Sequence, residues 1–274
     1  MSEREAFEPG VPCWVQAVHP DPAAAVAFYT SLLGWKAENL MSDDHPGDYF
    51  VCRLRGRDVA AIVSPHGAPA PSSAVWTTHV CTDSADATVR KVEEAGGRVI
   101  GEPFDSPGSG RMVVVSDPSG AVFCLWQPGG RSGAQLVNEP GAWAMSALIT
   151  PDQESARRFY RTVFDWQTDT FGLGDAQVTL WRLPGYVGGG PQQPVPRDVV
   201  ATMLPPDASG DAPPSWSVDF WVRDLDRTLA TATDLGSSVL AGPYDIPDAG
   251  MRQAVIIDPQ GAMLSLTQPP GAQP

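Results

Sequence analysis

The two halves of the chain repeat one another. An apolar strand, an acidic residue and an amphipathic helix ending in Trp run from Asp21 through Phe28-Tyr29 to Gly34-Trp35, and again from Asp152 through Phe159-Tyr160 to Asp165-Trp166. Late in each half come Gly101-Glu102-Pro103-Phe104-Asp105 and Ala241-Gly242-Pro243-Tyr244-Asp245, then two β-runs joined by Asp117-Pro118-Ser119-Gly120 or Asp258-Pro259-Gln260-Gly261. Proline sets φ and glycine supplies φ > 0, so both halves close with strand, turn, strand. Matches at several separated places mark a duplication, and 274 residues with 42% apolar content suffice for two cores of about 130 residues each.

Within each half the order reads strand, helix, three strands, taken twice. In the first half the strands fall near 12–18, 35–40, 49–54, 58–64, 75–82, 98–101, 111–116 and 121–127. Helices near 22–33 and 84–95 carry i, i+3, i+4 apolar spacing and cover one face of a curved sheet, leaving the other free to form a cleft. The expected class is α+β, with two tandem domains (residues 10–128 and 141–270), each a pair of βαβββ units forming a mixed sheet around a cleft. The Gly-rich stretch between them, 129–140, reads as a linker with little to bury.

Composition narrows the partners. A formal net charge of -14 lacks the concentrated basic surface that phosphate backbones and anionic lipids require, so nucleic acid and membranes are not expected. No run approaches the ~20 apolar residues that span a bilayer, and the acidic opening is unlike a secretory signal. Cys13, Cys52, Cys81 and Cys124 form no CxxC pair and read as buried free thiols in a reducing cytoplasm. The expected partner is a small molecule, and the protein a monomer or homodimer.

The strand-Asp-helix block with Phe28-Tyr29 and Gly34-Trp35, the Asp-Pro-x-Gly turns and the spacing between them resemble the vicinal oxygen chelate superfamily. It includes glyoxalase I, extradiol dioxygenases and bleomycin resistance proteins. The resemblance spans almost the whole chain and implies a U-shaped cleft in each domain. In metal-using members it implies a His/Glu/Gln set drawn from the first and last strands of each unit, with positions left open for substrate oxygens.

Counting the family's spacing onto this chain gives no such set. Fourteen residues before Phe28 and Phe159 stand Trp14 and Met145, and the first strand of each second unit offers Trp76 and Trp216. Four residues past the turn glycine stand Cys124 and Ser265, and the fourth position falls near Ala60 to Ile62 and Ala201 to Met203. A two-residue shift brings in Gln16 or Asp58, which is too little for a hard cation. No metal or other cofactor is expected. The first cleft instead collects Trp14, Gln16, Trp76, Cys124 and Trp126, an aromatic box suited to flat π-systems, while the second collects Met145, Trp216, Ser265 and Thr267.

His19, His45 and His66 fall in loops and read as solvated or hydrogen-bonded. By strict alternation from Trp76, His79 and its counterpart Asp219 point to the helix-covered side. Trp35 and Trp166 read as structural, and Gly188-Gly189-Gly190 as part of a flexible loop over the second cleft. No nucleophile elbow is present. These residues favour a protein that captures an aromatic or polycyclic metabolite or antibiotic without a metal. The competing readings are an enzyme of the same fold (a lyase, isomerase or oxygenase) and an interaction module with vestigial clefts.

Overall fold

Asp21 and Asp152 start their helices by accepting a hydrogen bond from the backbone N–H three residues on, at 3.0 and 2.9 Å. Gly34 ends the first helix in the left-handed conformation (φ 74°), and Asp165 takes the same role in the second half at φ 60°. These signals recur because the halves are built alike. The computed structural model describes residues 3–42, 44–65, 73–106, 108–173, 176–188, 196–206 and 213–272. His66, Gly189 and Gly190 lie outside them.

The first half contains β1 (Pro12–Val18), α1 (Pro22–Leu33), β2 (Lys36–Asn39), β3 (Tyr49–Leu54), β4 (Arg57–Val63), β5 (Val75–Cys81), α2 (Ala85–Glu94), β6 (Arg98–Val99), β7 (Phe104–Ser106), β8 (Gly110–Ser116) and β9 (Val122–Pro128). The second contains β10 (Trp143–Ile149), α3 (Gln153–Phe164), β11 (Gln167–Leu173), β12 (Ala176–Arg182), β13 (Val199–Leu204), β14 (Ser215–Trp221), α4 (Leu225–Asp234), β15 (Ser238–Ile246), β16 (Met251–Ile257) and β17 (Met263–Gln268). The short β7, which pairs with β8, has no counterpart in the sequence reading.

Each half makes its own mixed sheet, ordered β2-β3-β4-β1-β5-β9-β8-β6 and β11-β12-β13-β10-β14-β17-β16-β15. In both, two βαβββ units meet along their first strands, β1 against β5 and β10 against β14, antiparallel. This is the expected α+β architecture.

The helices are shared between the sheets. Trp35 and Trp76 meet Phe220 of the second sheet at 5.4 and 5.1 Å, and Tyr160 and Phe159 of α3 meet Phe123 of the first at 5.7 and 6.2 Å. α1 thus packs in one core with Val218, Leu264 and Leu266, and α3 in the other with Val113, Val115 and Leu125. The repeated motifs supply the polar side of this exchange. Tyr29 Oη donates to Asp258 Oδ2 (2.9 Å) and accepts from Trp76 Nε1 (3.0 Å), while Tyr160 Oη donates to Asp117 Oδ2 (3.3 Å) and accepts from Trp216 Nε1 (3.0 Å). Trp35 and Trp166 donate across the same boundary to Gly141 O and Gly10 O. The Asp-Pro-x-Gly aspartates therefore do more than shape their hairpins: each receives the other half's helix.

Of the two roles open to His19, the structure shows the hydrogen-bonded one: it is fully buried, and its Nε2 lies 2.7 Å from Asp258 Oδ2. His45 is exposed, with Nδ1 2.9 Å from Gly47 O. The 129–140 stretch differs from expectation, since Ala134, Leu136 and Val137 are buried. β1 pairs with β4 only from Gln16 onward, which leaves the Cys13 carbonyl open to accept from Ala134 N at 2.8 Å. Gln135 N donates likewise to Asp58 O, and Arg4 N to Gln135 O. No described helix is long and apolar enough to cross a membrane.

Candidate functional site

Directly opposed residues on neighbouring strands project to the same face of a sheet. Trp14 stands opposite His79, and His79 opposite Cys124; Met145 stands opposite Asp219, and Asp219 opposite Ser265. The inner face of the first sheet therefore carries Trp14, Gln16, His79, Cys124 and Trp126, and that of the second Met145, Asp219, Ser265 and Thr267.

Trp76 and Trp216 stand opposite Ala17 and Leu148, on the outer face. They belong to the cores under α1 and α3, where each donates to a tyrosine. The expectation that they line the clefts is corrected here, and with it the outward placement of His79 and Asp219. The cause is parity: the family count lands three residues short of the inward position on β5 and β14, and an odd offset inverts the face.

The inner side of the first sheet is covered by the chain itself. Trp126 Nε1 donates to Arg131 O (3.1 Å), and the Arg131 guanidinium reaches across to Asp58 Oδ2 (3.1 Å). Gly133 passes so close to β1 that a Cβ on it would stand 2.3 Å from Cys13 O. Trp14, only 7% exposed, packs in one cluster with Ala134 and Leu136. His79 is encased: burial pushes its pKa down to about 3, so it is neutral, and neither ring nitrogen has a hydrogen-bond partner among the described residues. Burial likewise raises Cys124 to about 12. All four cysteines are free and buried. In native protein at pH 8, Ellman's reagent is expected to leave them unmodified for as long as the fold holds and to titrate all four in denaturant. Rapid labelling of Cys124 in native protein would show that this cleft is open.

The second sheet keeps an open cleft of about 150 Å³. Met145, Trp221, Met251 and Tyr186 give it an apolar and aromatic wall, and Phe7 and Val11 of the N-terminal segment close one side. Asp219 and Thr267 supply its polar face, with Arg4 and Arg197 also among the lining residues. The loop after Tyr186 is held at its base by Gly188 and Arg197, whose backbone N–H and O bond at 2.7 Å.

Asp219 is half-buried in this wall. Thr267 Oγ1 donates to its Oδ1 at 2.7 Å, with Gln253 Nε2 at 3.5 Å. Burial pushes its pKa up to about 7, against the opposing pull of these hydrogen bonds. Arg4 Nε is buried with no partner among the described residues. A cleft with one poised carboxyl, a guanidinium among its lining residues and aromatic walls can hold a flat molecule by its faces and read an oxygen-bearing edge.

These donors do not suit the metal that the fold's metal-using members carry. The three adjoining positions hold a thioether, one carboxylate and a hydroxyl in the second cleft, and an indole, a neutral encased imidazole and a protonated thiol in the first. Among the described residues no three His, Cys, Asp or Glu side chains come together as a metal-binding group.

Sequence reasoning placed Met145, Ser265 and Thr267 on this face. It missed the functional promise of Asp219, although the alignment of Asp219 with His79 was the signal. Nothing in the sequence pointed to Arg4, Phe7 or Tyr186, which reach the cleft from distant segments.

Comparison with known proteins agrees with this architecture. The family model described as the glyoxalase/bleomycin resistance protein/dioxygenase superfamily matches residues 14–125. A Mycobacterium tuberculosis protein named as a glyoxylase, CFP32, is 36% identical over 98% of both chains. The anthracycline biosynthesis protein DnrV of Streptomyces peucetius is 35% identical over 96% of this chain and 94% of its own. Among solved structures, the Mn(II)-bound glyoxalase of Novosphingobium aromaticivorans superposes with a TM-score of 0.62 at 19% identity, over 95% of this chain and 82% of that one. The 2,2',3-trihydroxybiphenyl 1,2-dioxygenase of Sphingomonas wittichii gives 0.61 at 15%, over 95% and 91%. With a shared fold and relatives alike over nearly their whole length, the chain belongs to the glyoxalase/bleomycin resistance protein/dioxygenase superfamily.

Proposed function

We propose that the protein binds a small aromatic or polycyclic metabolite in the second cleft, through its aromatic and thioether walls and without a metal. The observation that carries this reading is the open cleft between Met145, Trp221 and Tyr186, with Asp219 and Arg4 among the lining residues that would meet a phenol or carbonyl edge. The likeness to DnrV, whose name places it in anthracycline biosynthesis, supports a fused-ring ligand such as a biosynthetic intermediate or a drug. The ligand sits in the second cleft because the first is crossed by the connecting segment.

The test uses 1,4-dihydroxyanthraquinone as a probe. Its addition is expected to quench tryptophan fluorescence saturably, with Trp221 contributing directly. Trp221→Ala is expected to weaken binding about tenfold, the effect of losing one aromatic face worth roughly 1.4 kcal/mol. If the probe fails to quench the parent, or Trp221→Ala titrates like the parent, the reading is lost.

A further inference from the structure

Asp117, Asp258 and Asp219 show two ways of treating a carboxylate inside one protein. Asp117 Oδ1 accepts from the backbone N–H groups of Ser119, Gly120 and Ala121, and its Oδ2 from Tyr160; Asp258 is held in the same manner on both oxygens. Those are carboxylates used as structural joints. Asp219 is held at Oδ1 alone, and its Oδ2 has no partner among the described residues.

The support behind Oδ1 runs in one direction. Tyr244 Oη donates to Gln253 Oε1 (2.7 Å), which turns the amide so that Nε2 donates to Thr267 Oγ1 (2.8 Å). The threonine hydroxyl, already accepting, donates to Asp219 (2.7 Å). One oxygen is thereby fixed and the carboxyl plane oriented, while the other oxygen stays uncommitted in a wall of the cleft.

We propose that Asp219 is a catalytic acid–base residue that moves a proton between two positions of a bound aromatic ketone or phenol, with no cofactor. The proposal rests on the ligand reading above and adds a reaction to it. The carboxylate takes a proton from a carbon next to the ligand's carbonyl. The C–H electron pair becomes the enolate π-bond and negative charge collects on the carbonyl oxygen, and the carboxylic acid then returns the proton to another carbon of the conjugated system. No electrons are gained or lost and no co-reactant is consumed. Arg4, on the same cleft, brings positive charge for the enolate oxygen. A carboxyl poised near neutrality by burial suits both halves of the cycle.

The probe for the reaction is 2-tetralone, a bicyclic ketone with acidic C–H groups, followed by NMR as its hydrogens exchange in D2O. The parent is expected to accelerate exchange over buffer by about 10² to 10⁴-fold, the range of general acid–base catalysis. The rate should rise with pH through about 7 and then level off, because the base form is the active one. Other charged or titratable groups around this carboxyl are Arg4, Arg197 and Tyr186 on the cleft, Tyr244 behind Gln253, and Glu8 near Tyr186.

Asp219→Asn is expected to fall to the buffer rate. Thr267→Val, which removes the donor at Oδ1, is expected to keep exchange but move its pH midpoint upward. Quenching by 1,4-dihydroxyanthraquinone is measured on the same samples. A parent that quenches but does not speed exchange, or an Asp219→Asn variant that exchanges like the parent, overturns the catalytic proposal alone. A parent that does not quench overturns the ligand reading and this proposal with it.

Discussion

Trp76→Ala is expected to lower the stability of the protein by about 3–5 kcal/mol, in the range for deleting a large buried aromatic. The indole is 2% exposed and is wedged edge-on among Tyr29, Trp35 and Phe220, with ring centres 5.4, 6.5 and 5.1 Å away. Its removal leaves a void where the two halves meet and takes from Tyr29 Oη the donor that complements its own bond to Asp258. Urea unfolding should show a lower midpoint at an unchanged slope, and the variant should still bind 1,4-dihydroxyanthraquinone like the parent. A stability loss below about 1 kcal/mol, outside that range for such a truncation, would contradict the placement of Trp76 in the core.

Asp258→Ala is expected to be comparably damaging, at about 3–5 kcal/mol, because removing a buried carboxylate strands the groups that bond to it. His19, wholly buried, loses the partner of its Nε2, Tyr29 loses its acceptor, and the turn loses the oxygen that receives the Gln260 and Ala262 N–H groups. Asp117→Ala should cost less, since among the described residues no histidine bonds to Asp117, and its tyrosine bond is longer at 3.3 Å.

The Asp258 effect carries a pH signature. Burial by itself would raise this carboxyl, but the hydrogen bond and charge of His19, the Ala262 N–H and Tyr29 outweigh it and hold the pKa below the ordinary value. A carboxyl whose folded pKa lies below its unfolded one, about 3.9, stabilises fully above the unfolded value and loses that contribution as pH falls through the folded value. The stability gap between parent and Asp258→Asn, followed by urea unfolding from pH 7 down to pH 3, should therefore narrow at the acid end. A gap that widens with acid would reverse the sign of this linkage.

The helices and strands were legible in the sequence because they depend on local signals. Caps at Asp21 and Asp152, alternation in 12–18 and 75–82, and the Asp-Pro-x-Gly turns place the first-half elements within a few residues of where they stand. Which face Trp76 takes was not legible. That depends on the register between β1 and β5, which pairs Trp14 with His79 and Ala17 with Trp76. The partner and the burial of His19 were not legible for a similar reason: Asp258 is 239 residues away in sequence. The site suffered doubly, since a parity error hid Asp219 and the segment carrying Arg4 and Phe7 reaches the cleft only through tertiary folding. The connecting stretch looked idle because its bonds go to edges that are open only in the folded sheet.

The sharing of α1 and α3 between the sheets means that neither half finishes its core alone. A first half emerging from the ribosome would still lack Phe220 over Trp35 and Trp76, and Phe159 and Tyr160 over Phe123. Encoded as separate copies, the halves would have to meet by diffusion at whatever concentration the cell supplied. Joined by a dozen residues that are themselves bonded to β1 and β4, they meet at an effective concentration on the order of millimolar. Assembly thereby becomes a property of one molecule, independent of how many are made.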